Sequence, residues 1–222
     1  MGEEHIEALR KECLKSRKII NKKDFGTGSG EAENVTYPVE IRKIAADSLT
    51  SRRNARRLNR MVRFMKAQKI LEIGTSLGIT SAYLAMANPG ARIITLEGCP
   101  ELSNIARKNF RRLGLDNVDL IEGRFENTLP KALEQLGTVD FVYIDGNHRK
   151  EAMLDYFSKC LAFSNNNTVM IFDDIHMTDE MENGWDAMVK NEKIRVSLDL
   201  FFSGWIFFRK ESSREHFKLR YF

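Results

Sequence analysis

The chain has 222 residues, 42% hydrophobic and 30% charged, with 14 glycines and 4 prolines; that composition fits one globular domain with an extension and excludes disordered and fibrous classes. No run approaches the ~20 apolar residues that span a bilayer, and Met1 to His5 is not a basic segment followed by an apolar one, so the expected compartment is the cytosol, with no membrane partner. The net charge of +4 hides an asymmetry, because residues 1–69 hold 17 Lys and Arg against 9 Asp and Glu, and the remainder 18 against 22.

A basic front of this kind suits an anionic partner, nucleic acid included, but a solvated helix face explains it first. Helical patterns run from Ile6 to Ile20 and from Val39 to Lys66. In the second, Ile44, Leu58, Met61, Val62 and Met65 fall on one face and Arg52, Arg53, Arg56, Arg57, Arg60 and Arg63 on the other. Between them the Gly26 to Gly30 run has no convincing strand pattern before it and no Lys-Ser/Thr after it, so it reads as a linker or a loop ordered by ligand rather than a phosphate cradle. Residues 1–68 are therefore expected to form an N-terminal helical cap. Cys13, Cys99 and Cys160 lack Cys-x-x-Cys or Cys/His spacing, which argues against zinc.

From Lys69 onward, short apolar runs alternate with helical patterns. The runs Lys69 to Ile73, Arg92 to Glu97, Val118 to Glu122, Val139 to Asp145 and Val169 to Asp173 predict five parallel strands. Helices over Thr80 to Ala87 and Glu101 to Leu113 stop at Asn88-Pro89-Gly90 and at Gly114. After a helix over Thr178 to Val189, the strands Val196 to Leu200 and Trp205 to Arg209 are too close for a parallel crossover and predict a hairpin. The fold class is α/β, a doubly wound Rossmann-like sheet of seven strands, five parallel plus a C-terminal antiparallel hairpin. Trp185 and Trp205 read as core sooner than as pocket lining, and Phe201-Phe202, in the hairpin turn, as lid or packing; all four stay outside the candidate site, and His5 and His176 receive no role.

Chemistry concentrates at strand ends. Glu72 ends the first strand, and Gly74, Ser76 and Gly78 follow, small residues that let the chain turn sharply into a helix and let a ligand approach bare backbone. Glu97 closes the second strand, where a carboxylate accepts from both hydroxyls of a ribose. An acid directly before the loop suits a cofactor bearing sulfonium and ammonium groups better than a pyrophosphate. Asp145 ends the fourth strand and Asp173-Asp174 the fifth, and neighbouring strands lie ~4.8 Å apart, so three carboxylates converge. Such a cluster calls for shared protons or a hard divalent ion such as Mg²⁺.

The segment Ile70-Leu71-Glu72-Ile73-Gly74-Thr75-Ser76-Leu77-Gly78 resembles the first motif of the class I S-adenosylmethionine-dependent methyltransferases, and the resemblance covers about residues 69–209. It implies that residues 69–222 form the S-adenosylmethionine-binding domain, with Glu72, Gly74, Thr75, Ser76, Gly78, Glu97 and Gly98 around the methionine and ribose ends. Gly123 and Arg124 stand where the family contacts adenine; Arg124 departs from the small or acidic residue usual there, which passes recognition to backbone amides or to Phe125. The strand ends Tyr143-Ile144-Asp145-Gly146-Asn147-His148 and Phe172-Asp173-Asp174 are similar to the catechol and caffeoyl-coenzyme A O-methyltransferase branch, and to bacterial methyltransferases with an Asp-Gly-Asn-His motif. By that likeness Asp145, Asp173 and Asp174 are the ligands of Mg²⁺ or another divalent cation, Asp145 also borders the cofactor and acts in catalysis, and His148 replaces a lysine as general base.

The expected activity is O-methylation of a small-molecule hydroxyl, metal-assisted. Two alternatives stand beside it: methylation of RNA or protein through the basic N-terminal region, and a non-catalytic cofactor-binding module. A nicotinamide-dependent dehydrogenase is a remoter option. The identity of the acceptor and the choice between monomer and homodimer are not legible in the chain.

Overall fold

The computed structural model describes residues 2–25 and 35–220; the Gly26 to Gly30 run lies outside the described residues. The N-terminal segment comprises α1 (Glu3–Lys15), β1 (Ile19–Asp24), β2 (Val35–Glu40), α2 (Ile41–Ser48) and α3 (Arg52–Met65). The alternating units follow as β3 (Lys69–Ile73), α4 (Ile79–Ala87), β4 (Arg92–Glu97), α5 (Pro100–Leu113), β5 (Val118–Glu122), α6 (Phe125–Leu136), β6 (Val139–Ile144), α7 (Lys150–Ala162), β7 (Ser164–Asp173) and α8 (Asp179–Met188). The chain ends with β8 (Val196–Asp199), β9 (Ser203–Phe207) and β10 (Glu215–Lys218).

The main sheet has the order β10-β8-β9-β7-β6-β3-β4-β5. Strands β5, β4, β3, β6 and β7 run parallel, and the expected hairpin inserts β9 antiparallel between β7 and β8. The chain runs outward from β3 to β4 and β5 on one side and restarts with β6 and β7 on the other, so strand order reverses between β3 and β6 and their carboxyl ends, with that of β4, open onto one crevice. Ile70, Leu71, Ile73, Val142, Met170 and Ile171 are fully buried, as strands covered on both faces require.

Three expectations need correction. The sheet has eight strands, not seven, because β10 pairs parallel with β8; Glu215-His216-Phe217-Lys218 is exposed throughout, so this edge strand carries no apolar run to announce it. The first helix ends at Lys15, and Ile19–Asp24 is a strand paired antiparallel with Val35–Glu40, which makes the N-terminal segment a mixture of helices and a hairpin. Ile20 is buried beside an exposed Ile19, the alternation of a strand. The long helix over Val39 to Lys66 is also interrupted: Leu49 is extended and the Ser51 hydroxyl accepts from the Asn54 amide at 3.3 Å, capping a new helix.

The N-terminal segment shares its core with the alternating units. Ile6, Leu9, Cys13, Ile20, Ile41 and Ile44 pack with Leu77, Ile79, Tyr83, Cys99 and Leu102. The basic face of α3 is partly neutralised within the chain, since Arg52 and Arg56 reach Glu3 at 2.7 and 2.8 Å. Trp185 and Trp205 are buried, and the Trp185 ring fills the space a side chain at Gly204 would take.

Candidate active site

The turn after β3 is built by hydrogen bonds to its neighbour β4. The Gly74 and Thr75 amides both donate to the Leu96 carbonyl, at 3.0 and 3.1 Å, and the Gly78 amide donates to the Thr75 carbonyl at 2.9 Å as α4 begins. Gly74 has φ +102°, and a Cβ there would overlap the Asp145 carbonyl oxygen. Glycine is required on both counts. Ser76, next to it, holds φ 49°, and its amide donates to Glu97 Oε2 at 2.8 Å, while the Cys99 amide donates to Oε1 at 2.9 Å. Burial pushes the Glu97 carboxyl up, and these two amides oppose the shift, holding the group in one orientation.

A cavity of about 500 Å³ lies over the carboxyl ends of the strands. Gly74, Ser76, Glu97, Gly98, Arg124, Asp145, His148, Asp173 and Asp174 all line it. Glu72, Thr75, Gly78 and Gly123 do not; the first three are buried, and Gly123 is half-buried. Thr75 Oγ1 lies 2.6 Å from Thr95 Oγ1, and a Cβ at Gly78 would lie 2.5 Å from Phe110 Cε1, so these two positions serve the turn and the packing of α4 on α5. Glu72 is fully buried, with Oε2 accepting from the Ser81 and Thr95 hydroxyls and Oε1 without a partner. Burial pushes its carboxyl up to about 7. It can act on a ligand only through its field or through the turn it supports.

The reacting end is assembled by β6 and β7. Asp145, His148 and Asp174 each offer one ligand atom within 4.8 Å of the others. His148 Nε2 lies 3.9 Å from Asp145 Oδ1, with side chains 14% and 21% exposed, and both line the cavity. Asp173 stands apart from that group: its Oδ2 accepts the Tyr143 hydroxyl at 2.6 Å, a shorter contact than the 3.3 Å from the same hydroxyl to Asp145. Burial, then the charges of Asp173 and Asp174, raise the Asp145 carboxyl well above its usual range; burial chiefly raises Asp173 to about 6. Burial lowers the His148 pKa, and Asp174 opposes the shift, so the imidazole is neutral near pH 7. Two packed carboxylates beside a neutral imidazole fit a divalent cation, whose charge would relieve that repulsion.

Other features fit a ligand here. Ser76, Asn147 and Asp174 line the cavity with positive φ, strain of the sort that clusters at functional sites. Ser76 Oγ and Asn147 Oδ1 are buried polar atoms without partners. Bare backbone at Gly74 and an aimed carboxylate at Glu97 suit a nucleoside with an amino-acid tail.

Several contributors escaped the sequence. Thr50, in the break between α2 and α3, lies 3.1 Å from the Tyr143 hydroxyl and accepts from Thr80 Oγ1 at 3.1 Å, while Arg10 Nη1 donates to its carbonyl at 2.8 Å. The N-terminal segment is thereby tied to the acids of β6 and β7. A capping serine at 51 was the available signal. Phe202, left outside the candidate site as lid or packing, lines the cavity, and its carbonyl accepts the Asp174 amide at 2.6 Å. Phe201 stacks on His176, which bonds Asp199 at 2.9 Å.

Residues 71–175 match a family described as a methyltransferase domain. A catechol O-methyltransferase of Niastella koreensis is 32% identical over 121 residues, 53% of this chain and 54% of that protein. Another, of Mycobacterium tuberculosis, is 33% identical over 113 residues, 50% of each. The chain thus spans about half the length of the curated relatives it matches. Among solved structures, an O-methyltransferase from Bacillus cereus in complex with S-adenosylhomocysteine superposes with a TM-score of 0.64 at 23% identity, over 72% of this chain and 83% of that one. The methyltransferase PaMTH1 of Podospora anserina, also bound to S-adenosylhomocysteine, gives 0.65 at 23% identity, over 73% and 81%; both show a shared fold. Residues 71–175 are thus similar to a methyltransferase domain, and the fold is one shared with methyltransferases solved with S-adenosylhomocysteine.

Proposed function

We propose that the chain transfers a methyl group from S-adenosylmethionine to a hydroxyl oxygen of a small-molecule acceptor, with Mg²⁺ or a similar divalent cation at the reacting end. One observation carries this reading: a single cavity is lined both by Gly74, Ser76 and Glu97 and by Asp145, His148 and Asp174. Two relatives named as catechol O-methyltransferases support oxygen as the acceptor atom. When bound, the cofactor supplies a methyl already activated on sulfur, and the cation lowers the pKa of a hydroxyl beside it.

The chain's own residues supply position and a proton acceptor. Gly74 and Ser76 offer backbone at close range, and Glu97, pre-aimed by the Ser76 and Cys99 amides, accepts from ribose hydroxyls. Asp145 and Asp174 hold the cation, and Asp173, fixed by Tyr143, adds negative charge behind them. His148, neutral through burial, takes the acceptor's proton. The 4.8 Å grouping favours one further reading, in which His148 is a third ligand of the cation. In that case His148→Ala would abolish cation binding, whereas a general base would leave it intact. A nucleic-acid acceptor has less support, because Arg52 and Arg56 already pair with Glu3.

Calorimetric titration with S-adenosylhomocysteine, with and without Mg²⁺, tests the reading on the wild type and on Asp174→Ala. Binding by both proteins, with Mg²⁺ heats only in the wild type, is expected. Absence of nucleoside binding by the wild type would sink the methyltransferase reading, and identical Mg²⁺ behaviour in both proteins would sink the cation.

A further inference from the structure

Two strand-end acids that line the cavity are each followed by a glycine, Glu97 by Gly98 and Asp145 by Gly146. Neither glycine has the positive φ that demands glycine, unlike Gly74, Gly78 and Gly123. What both leave is room for an aromatic ring. A Cβ at Gly98 would lie 2.8 Å from Phe25 Cδ2 and 3.0 Å from Cε2, and its three nearest neighbours all belong to that ring. A Cβ at Gly146 would lie 2.9 Å from Phe125 Cε2. Both rings line the cavity.

Phe125 opens the helix after β5, but Phe25 comes from far upstream, directly after β1. Strand β1 is moored beside Gly98. The Asn21 amide donates to Glu101 Oε1 at 3.1 Å, and the Lys23 amide donates to Cys99 Sγ at 3.4 Å. Lys23 Nζ and the Arg124 guanidinium lie 4.9 and 5.6 Å from the Phe25 ring centroid, cation–π contacts that hold the ring in place. A flat apolar surface thus sits on the residue next to the ribose-binding acid, where a nucleoside places its base.

We propose that the base of the bound nucleoside packs against Phe25, so that the N-terminal hairpin is part of the cofactor site and its ring replaces the side chain missing at position 98. This rests on the methyltransferase reading. It accounts for Gly98, which no backbone requirement explains, and for an aromatic residue held by two cations in the cavity lining. Loss of one ring–base contact should weaken binding about tenfold, the factor equivalent to ~1.4 kcal/mol.

The test is calorimetric titration of S-adenosylhomocysteine and of methylthioadenosine, which lacks the amino-acid end, into the wild type, Phe25→Ala, Gly98→Leu and the double variant. Phe25→Ala should weaken both ligands by about the same tenfold factor while the melting temperature hardly moves, because Phe25 is only partly buried. Gly98→Leu should weaken both by displacing the ring, and Phe25→Ala/Gly98→Leu should bind better than Phe25→Ala, since the leucine then fills the vacated space. Wild-type binding matched or exceeded by Phe25→Ala overturns the proposal and leaves the methyltransferase reading standing. A wild type that binds neither ligand removes both.

Discussion

Glu72→Gln should change how the stability of the chain depends on pH. Its carboxyl is fully buried, accepts from Ser81 and Thr95, and is pushed up to about 7 from 4.5 by burial. A shift of that size corresponds to about 3 kcal/mol, an order-of-magnitude figure. Because the folded-state value is raised, the stabilising contribution is fully present below pH 4.5 and is lost as pH rises through about 7. Glutamine imitates the protonated acid and does not titrate. The variant should therefore match the wild type near pH 4 and exceed it by up to about 3 kcal/mol near pH 8. Urea denaturation at both pH values, followed by fluorescence of the buried Trp185 and Trp205, measures the difference, and the other titrating groups cancel in it. A stability difference equal at the two pH values would refute the argument, since Glu72 would then not change protonation in this range.

Gly74→Ala should cost more than about 2 kcal/mol and abolish nucleoside binding, because the new Cβ meets the Asp145 carbonyl and φ is +102°; urea denaturation and calorimetry report the two losses separately. Tyr143→Phe leaves the half-buried Asp173 carboxylate without its side-chain donor, an expected loss of about 2 kcal/mol and a thermal midpoint lower by roughly 4–8 °C. If the midpoint stays where it was, the Tyr143 hydroxyl does not organise the acids. Once an acceptor is in hand, the acid limb of kcat/KM should fall below pH 6.5, because burial lowers the His148 pKa and the neutral base persists to lower pH; a limb above 6.5 would count against His148 as the base.

The strands β3, β4 and β5 were legible to the residue, and β6 and the hairpin nearly so, whereas β7 begins five residues earlier than its apolar run, in the polar stretch Ser164 to Thr168. Buried parallel strands are unbroken apolar runs, and their ends are marked by an acid or a glycine. The candidate acids were visible for the same reason, since doubly wound topology sends every strand end to one crevice. The N-terminal segment was less legible. Ile19 and Ile20 extend an apolar helical pattern as readily as they begin a strand, and only pairing with Val39 and Glu40 decides between them. At Ser51 a single capping hydroxyl separates one long helix from two.

Sequence alone settled the α/β class, the order of the units and the identity of the strand-end acids, because each is a property of neighbouring residues and their periodicity. Folding settled which of those acids meet. Asp174 joins Asp145 and His148, Asp173 turns to Tyr143, and Glu72 is sealed behind the turn. Folding also brought Thr50 to Tyr143, 93 residues away, and Phe25 onto Gly98. Such contacts depend on side-chain direction and on the space left between distant segments, and no local pattern records either.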